Sequence, residues 1–104
     1  MRATKEQIII FLSEIKQSLL MDGISQIALF GSFARGENNV YSDIDIAIKK
    51  EKDYLKNKTA YDYFNQVANI KKLIRDKFHR DSDIFDLDSD SSMKNSITKD
   101  LIYV

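Results

Sequence analysis

The chain has 104 residues, 43% apolar and 31% charged, a length that fits one domain over residues 1–104 with no second core. Its formal net charge is zero and it has no cysteine, which excludes a molecule-wide field for nucleic acid or acidic membrane, disulfides and thiolate–metal sites. No run approaches the ~20 apolar residues of a membrane span, and the apolar run 8–12 is too short for a signal peptide, so the expectation is a cytoplasmic protein with no membrane partner.

Thr4 and Gln7 fit a capping box, and Ile8, Phe11, Leu12, Ile15 and Leu19 recur at helical spacing, so a helix is predicted over 5–21, with Gly23 as its stop. Residues 24–30 form a β-prone run that ends at Gly31. Ser32 begins a short helix to Arg35, and residues 37–39 form a turn. Ile44, Ile46 and Ile48 then alternate with Asp43, Asp45 and Ala47, the period of a strand. Residues 51–58 read as a charged, solvated connector. Ala60, Tyr63, Phe64, Val67, Ile70, Ile74 and Phe78 give a second amphipathic helix over 59–78. A third strand is expected over 84–87, then a short tail helix after residue 90 and an edge strand within 101–104. The order is αβαβαβ. The fold class is α/β (α+β), a small mixed, largely antiparallel sheet flanked by helices.

Side chains alternate faces along a strand, so Asp43 and Asp45 share one face and the isoleucines take the other. Two carboxylates ~7 Å apart, twice the strand rise, repel each other in a poorly solvated site. A divalent cation removes that conflict. With no His or Cys nearby, hard oxygen ligands favour Mg²⁺, or Mn²⁺, over zinc. The plainer alternative is a strand with a polar solvent face. Gly31 and Ser32 alter the balance. A glycine at a strand-to-helix turn lets a ligand approach the backbone, and the amides that follow attract anions. Ser32 is either a phosphate contact or a plain N-cap. Arg35 is either a phosphate contact or a surface residue.

Gly31 closes one strand and Asp43 opens the next. Their ends meet if the strands run antiparallel, and the connection is short for a parallel crossover. That places a phosphate-binding turn and two carboxylates at one rim, as metal-assisted nucleotidyl transfer requires. For a third carboxylate, Phe85 and Leu87 are assigned to the core face. Asp86, between them, then points the same way as Asp43 and Asp45, and Asp88 is the fallback. The acidic run is not an EF-hand, because Ser91 stands where the loop needs glycine and Ile97 where it needs glutamate. His79 reads as a solvated helix end.

Gly31-Ser32, ten residues, then Asp43-Ile44-Asp45 matches the GS-x10-D-x-D signature of polymerase-beta-like nucleotidyltransferases. The longer stretch GSFARGENNVYSDIDIAI resembles the minimal nucleotidyltransferases (MNT), antitoxins paired with HEPN-domain toxins. That resemblance implies ATP as donor and two Mg²⁺ ions. It implies Asp43 and Asp45 as metal ligands, Asp86 as ligand or general base, and Gly31 and Ser32 on the β,γ-phosphates. It also implies transfer of AMP to a tyrosine of a HEPN RNase. A domain this small leaves little surface for an acceptor domain, so the acceptor is expected to be a separate macromolecule. The rival reading is an antitoxin that binds and occludes its partner, with nucleotide transfer secondary or absent. Direct nucleic-acid binding is not expected, because no basic strip with interleaved aromatics is present, although the basic run 71–80 could meet phosphates.

Overall fold

The computed structural model describes residues 3–89 and 97–104. Helix α1 (Lys5–Met21) starts at Thr4, whose hydroxyl accepts the Gln7 amide at 3.2 Å. Its buried side chains, Ile8, Leu12 and Leu19, lie along one stripe. Strand β1 (Ile24–Phe30) leads directly into α2 (Gly31–Arg35), a single helical turn. Strand β2 (Ile44–Lys50) follows the loop. The connector expected to be solvated contains a short helix, α3 (Tyr54–Asn57). Tyr54 is buried there, its hydroxyl donating to Gln66 at 2.8 Å. Helix α4 (Ala60–Phe78) opens on a reciprocal Thr59–Asp62 capping box and ends at His79, an exposed residue in the left-handed conformation. Strands β3 (Ser82–Asp86) and β4 (Ile102–Tyr103) complete the sheet. Part of the tail helix expected after residue 90 lies outside the described residues.

The sheet order is β3-β2-β1-β4. β1 is antiparallel to both β2 and β4, while β2 and β3 are parallel, joined through α3 and α4. Strand alternation turns Ile44, Ile46 and Ile48 onto the helix side, where they join Ile27 and Leu29 of β1 and the apolar stripes of α1 and α4. Each fully buried isoleucine contributes roughly 1.5–3 kcal/mol. Phe11 and Phe78 close the far side of this layer edge-to-face at 5.6 Å. The other face of the sheet carries a smaller apolar group, Ala28, Ala47 and Leu87, flanked by Phe30, Phe85 and Leu101. The isoleucine period thus commits one face to the helices and leaves the opposite face, at the Phe30 end of β1, for polar work. Among the described residues, no helix is long and apolar enough to cross a membrane.

Candidate active site

Antiparallel pairing sets Phe30 opposite Asp45, so the α2 turn follows directly beside the carboxylate strand. Gly31 has φ +76° and is buried. A Cβ built there would stand 2.1 Å from Oδ2 of Asp45, a distance no pair of unbonded atoms tolerates. Glycine is therefore required twice, by the left-handed backbone and by the carboxylate lying against it. Ser32 follows, half-buried, and its carbonyl accepts the Glu37 amide at 2.8 Å, closing the turn. The expected meeting of the Gly-Ser bend with the D-x-D strand is present.

Parallel pairing sets Asp83 beside Asp45. Paired residues of neighbouring strands share a face, so the carboxylates at this rim are Asp45, half-buried, with exposed Asp43 and Asp83. Their electrostatics record the gathering. Burial first, then the negative charges of Asp83 and Asp43, push the Asp45 carboxyl up to about 6 against the opposing charge of Arg35.

The expectation that Asp86 shares this rim is corrected by the register. Asp86 pairs with Ile48, on the helix side and at the far end of β2. There it accepts Lys50 Nζ at 2.5 Å and the Tyr63 hydroxyl at 2.9 Å. Burial alone would raise its pKa, but Lys50, the Asp88 amide and Tyr63 together hold it below the usual carboxylate value. Asp88, the fallback, is at the same end, accepting the Lys50 amide at 3.3 Å. The physical reason is that β3 is apolar on both faces. Phe85 belongs to the open-face group and Ile84 to the helix core, so counting apolar neighbours chose the wrong parity. A signal for Asp83 was present in the recurrence of Ser-Asp-Ile at 42–44 and 82–84.

Arg35 is engaged by carboxylates, with Nε on Glu37 at 3.0 Å and a terminal nitrogen on Asp100 at 2.8 Å. It is still near enough to act on Asp45 electrostatically. A surface recess of about 710 Å³, lined by Lys49, Lys50, Lys52 and Tyr54, lies at the other end of β2 and does not include the rim.

Among the described residues, no three His, Cys, Asp or Glu side chains are gathered tightly enough to cage a metal ion alone. The donor chemistry nevertheless suits Mg²⁺, which is commonly held by one or two carboxylates with substrate phosphates and water completing the shell. The like charges pressed around Asp45 are what such an ion would neutralise.

A glycine-serine bend held against a D-x-D strand, on a mixed sheet backed by helices on one face, defines a nucleotidyltransferase. The chain belongs to the polymerase beta nucleotidyltransferase family, whose pattern, described as "Polymerase beta, Nucleotidyltransferase", matches residues 6–104. It is similar to three proteins of Methanocaldococcus jannaschii, each named "Putative protein adenylyltransferase". One is 46% identical over 50 residues, 46% of this chain and 58% of that protein. Another is 37% identical over 83 residues, 78% and 76% of the two chains. A third is 35% identical, covering 89% of this chain and 97% of that one. Two solved structures share the fold. The one described as a "putative minimal nucleotidyltransferase" has a TM-score of 0.71 at 20% identity, over 96% of this chain and 95% of that one. A "putative nucleotidyltransferase from Sulfolobus solfataricus" has a TM-score of 0.55 at 23% identity, over 95% and 80%.

Proposed function

We propose that this nucleotidyltransferase moves AMP from ATP onto a hydroxyl of a partner protein, a tyrosine of a HEPN-domain toxin, and so acts as its antitoxin in the cytoplasm. The observation that carries the reading is the contact of Gly31 with Asp45 at the rim where Asp43 and Asp83 also stand. The names of the relatives support a protein acceptor.

In this reading the Gly31-Ser32 bend holds the β- and γ-phosphates through backbone amides and the Ser32 hydroxyl, with no side chain at Gly31 to obstruct them. Asp43 and Asp45 would hold Mg²⁺, with Mn²⁺ as a substitute, and a bound ion supplies charge neutralisation at the attacking and leaving oxygens. The acceptor oxygen attacks the α-phosphorus in line, the bond to the β-phosphate oxygen breaks, and pyrophosphate departs. Asp83 takes the acceptor's proton, the role the sequence had suggested for Asp86.

The test uses the full chain, α-labelled ATP, Mg²⁺ and the protein encoded by the adjacent open reading frame. Label on that partner, with a mass gain of one or more AMP, is the expected result. Undiminished transfer by the Asp43→Asn/Asp45→Asn double variant would end the mechanism. An inhibited partner of unchanged mass would instead establish occlusion.

A further inference from the structure

We infer that Arg80 is a positioning residue for the proposed transfer, fixing the backbone that carries Asp43. The inference rests on the reading of the rim given above. Arg80 follows the left-handed residue His79, which ends α4. One terminal guanidinium nitrogen donates to the carbonyls of Ser42 at 2.7 Å and Asn39 at 3.2 Å, with the Val40 carbonyl at 3.5 Å. The guanidinium carbon also lies 5.3 Å from the centre of the ring of Phe33, the buried residue after Ser32. The carbonyl of the next residue, Asp81, accepts the Ile44 amide at 3.0 Å.

The Ser42 carbonyl belongs to the peptide group before Asp43, and the Ile44 amide to the peptide group after it. Both planes flanking Asp43 are therefore tied to residues 80 and 81. The turn of the loop also has bonds of its own. Asn39 and Ser42 already close it, the Asn39 amide donating to Ser42 Oγ at 2.9 Å and the Ser42 amide to the Asn39 carbonyl at 3.1 Å. Tyr41 adds its amide to Asn39 Oδ1 at 2.8 Å. What Arg80 adds is a link between three separate segments, the loop before Asp43, the α2 turn that starts at Gly31, and the approach to Asp83. A planar guanidinium can stack on a ring while its N–H groups reach several carbonyls. A lysine offers a point charge without the plane.

The experiment compares the parent with Arg80→Met, Arg80→Lys and, as a control, Lys72→Met, whose exposed lysine pairs with Asp76. Amide hydrogen exchange is measured without ligand. The Mg²⁺ concentration for half-maximal binding of α,β-methylene-ATP is measured separately. In Arg80→Met, exchange at Ser42 and Ile44 is expected to quicken at least tenfold while the amides of α1 and β1 hold. The half-saturating Mg²⁺ concentration should rise several-fold. Arg80→Lys should fall between, and Lys72→Met should match the parent in both readouts. A general loss of stability would quicken the amides of α1 and β1 as well, which separates it from a change confined to Ser42 and Ile44. Unchanged exchange at Ser42 and Ile44 in Arg80→Met overturns the proposal, as does an unchanged Mg²⁺ midpoint in a parent that binds the analogue. If Arg80→Met does not fold, Arg80→Lys should show both changes at smaller amplitude, and their absence there overturns the proposal equally. If the parent binds no nucleotide, the functional reading falls, and exchange at those two amides still decides whether Arg80 holds the backbone around Asp43.

Discussion

Replacing Gly31 with alanine tests the closest contact at the rim. The new methyl group meets two separate penalties. At φ +76° a Cβ crowds its own carbonyl, which costs about 1–2 kcal/mol. The same Cβ would lie 2.1 Å from Asp45 Oδ2, so the carboxylate must leave its rotamer at about 0.5–1.5 kcal/mol more. Restricting the unfolded chain returns somewhat under 1 kcal/mol. The net expectation is a loss of about 2 kcal/mol. For a domain of this size that lowers Tm by roughly 8–16 °C, read by circular dichroism. The two penalties separate in an Asp45→Ala background. Removing the carboxylate leaves the backbone penalty and relieves most of the clash, so Gly31→Ala should cost about 1 kcal/mol less there than in the parent. Equal losses in both backgrounds would show that Gly31 and Asp45 are not in contact, and the reading of the rim would go with it.

Asp45→Asn should stabilise the metal-free protein at high pH. A carboxyl raised to about 6 from 3.8 disfavours folding once it ionises, so the contribution of Asp45 to stability is fully present below pH 3.8 and is lost as pH rises through about 6. Direct conversion gives about 3 kcal/mol, which water at a half-buried site screens to about 1–1.5 kcal/mol. Urea unfolding in chelator at pH 8 should show that gain, and at pH 4 it should have largely gone. The two candidate third carboxylates should behave oppositely. Asp83→Asn is expected to cut label transfer at least 100-fold with little change in Tm, whereas Asp86→Asn should lose about 1–2 kcal/mol of stability and keep transfer within about threefold. The depressed Asp86 stabilises above pH 3.8, and that contribution fades as pH falls below it, so the Asp86→Asn deficit should narrow in acid. Thr59→Ala removes the hydroxyl arm of the α4 capping box, leaving the residue 59 amide on the Asp62 carboxylate, and should cost about 1 kcal/mol, measured by thermal unfolding.

Local signals were the ones the sequence expressed clearly. Thr4 and the apolar stripe gave α1 its observed bounds, and the run ending at Gly31 gave β1 its own. The short link from Gly31 to Asp43 already required antiparallel pairing of β1 with β2, and the register bears that out. Tyr54 was hidden because its neighbours are charged, and its burial rests on tertiary contacts with Gln66 and Tyr63. The third carboxylate was hidden for a related reason. Which face a β3 residue occupies depends on its pairing with β2, a long-range fact, and β3 is apolar on both sides. Asp86 looked misplaced for a core only because Lys50 and Tyr63, which neutralise and hydrogen-bond it, are distant in the chain.

The parallel pairing of β2 with β3 also divides the candidate rim into a near and a distant part of the chain. Gly31, Asp43 and Asp45 come together through a neighbouring antiparallel pair whose closure spans a short stretch of chain. Asp83 is joined to that pair through a crossover that includes α3 and α4. Contacts at such separation form late, because the entropy of closing the longer loop must first be overcome. A partly folded chain would thus display a D-x-D pair without its third carboxylate. Chemistry would begin only when the last crossover has docked, so the enzyme would report its own completion.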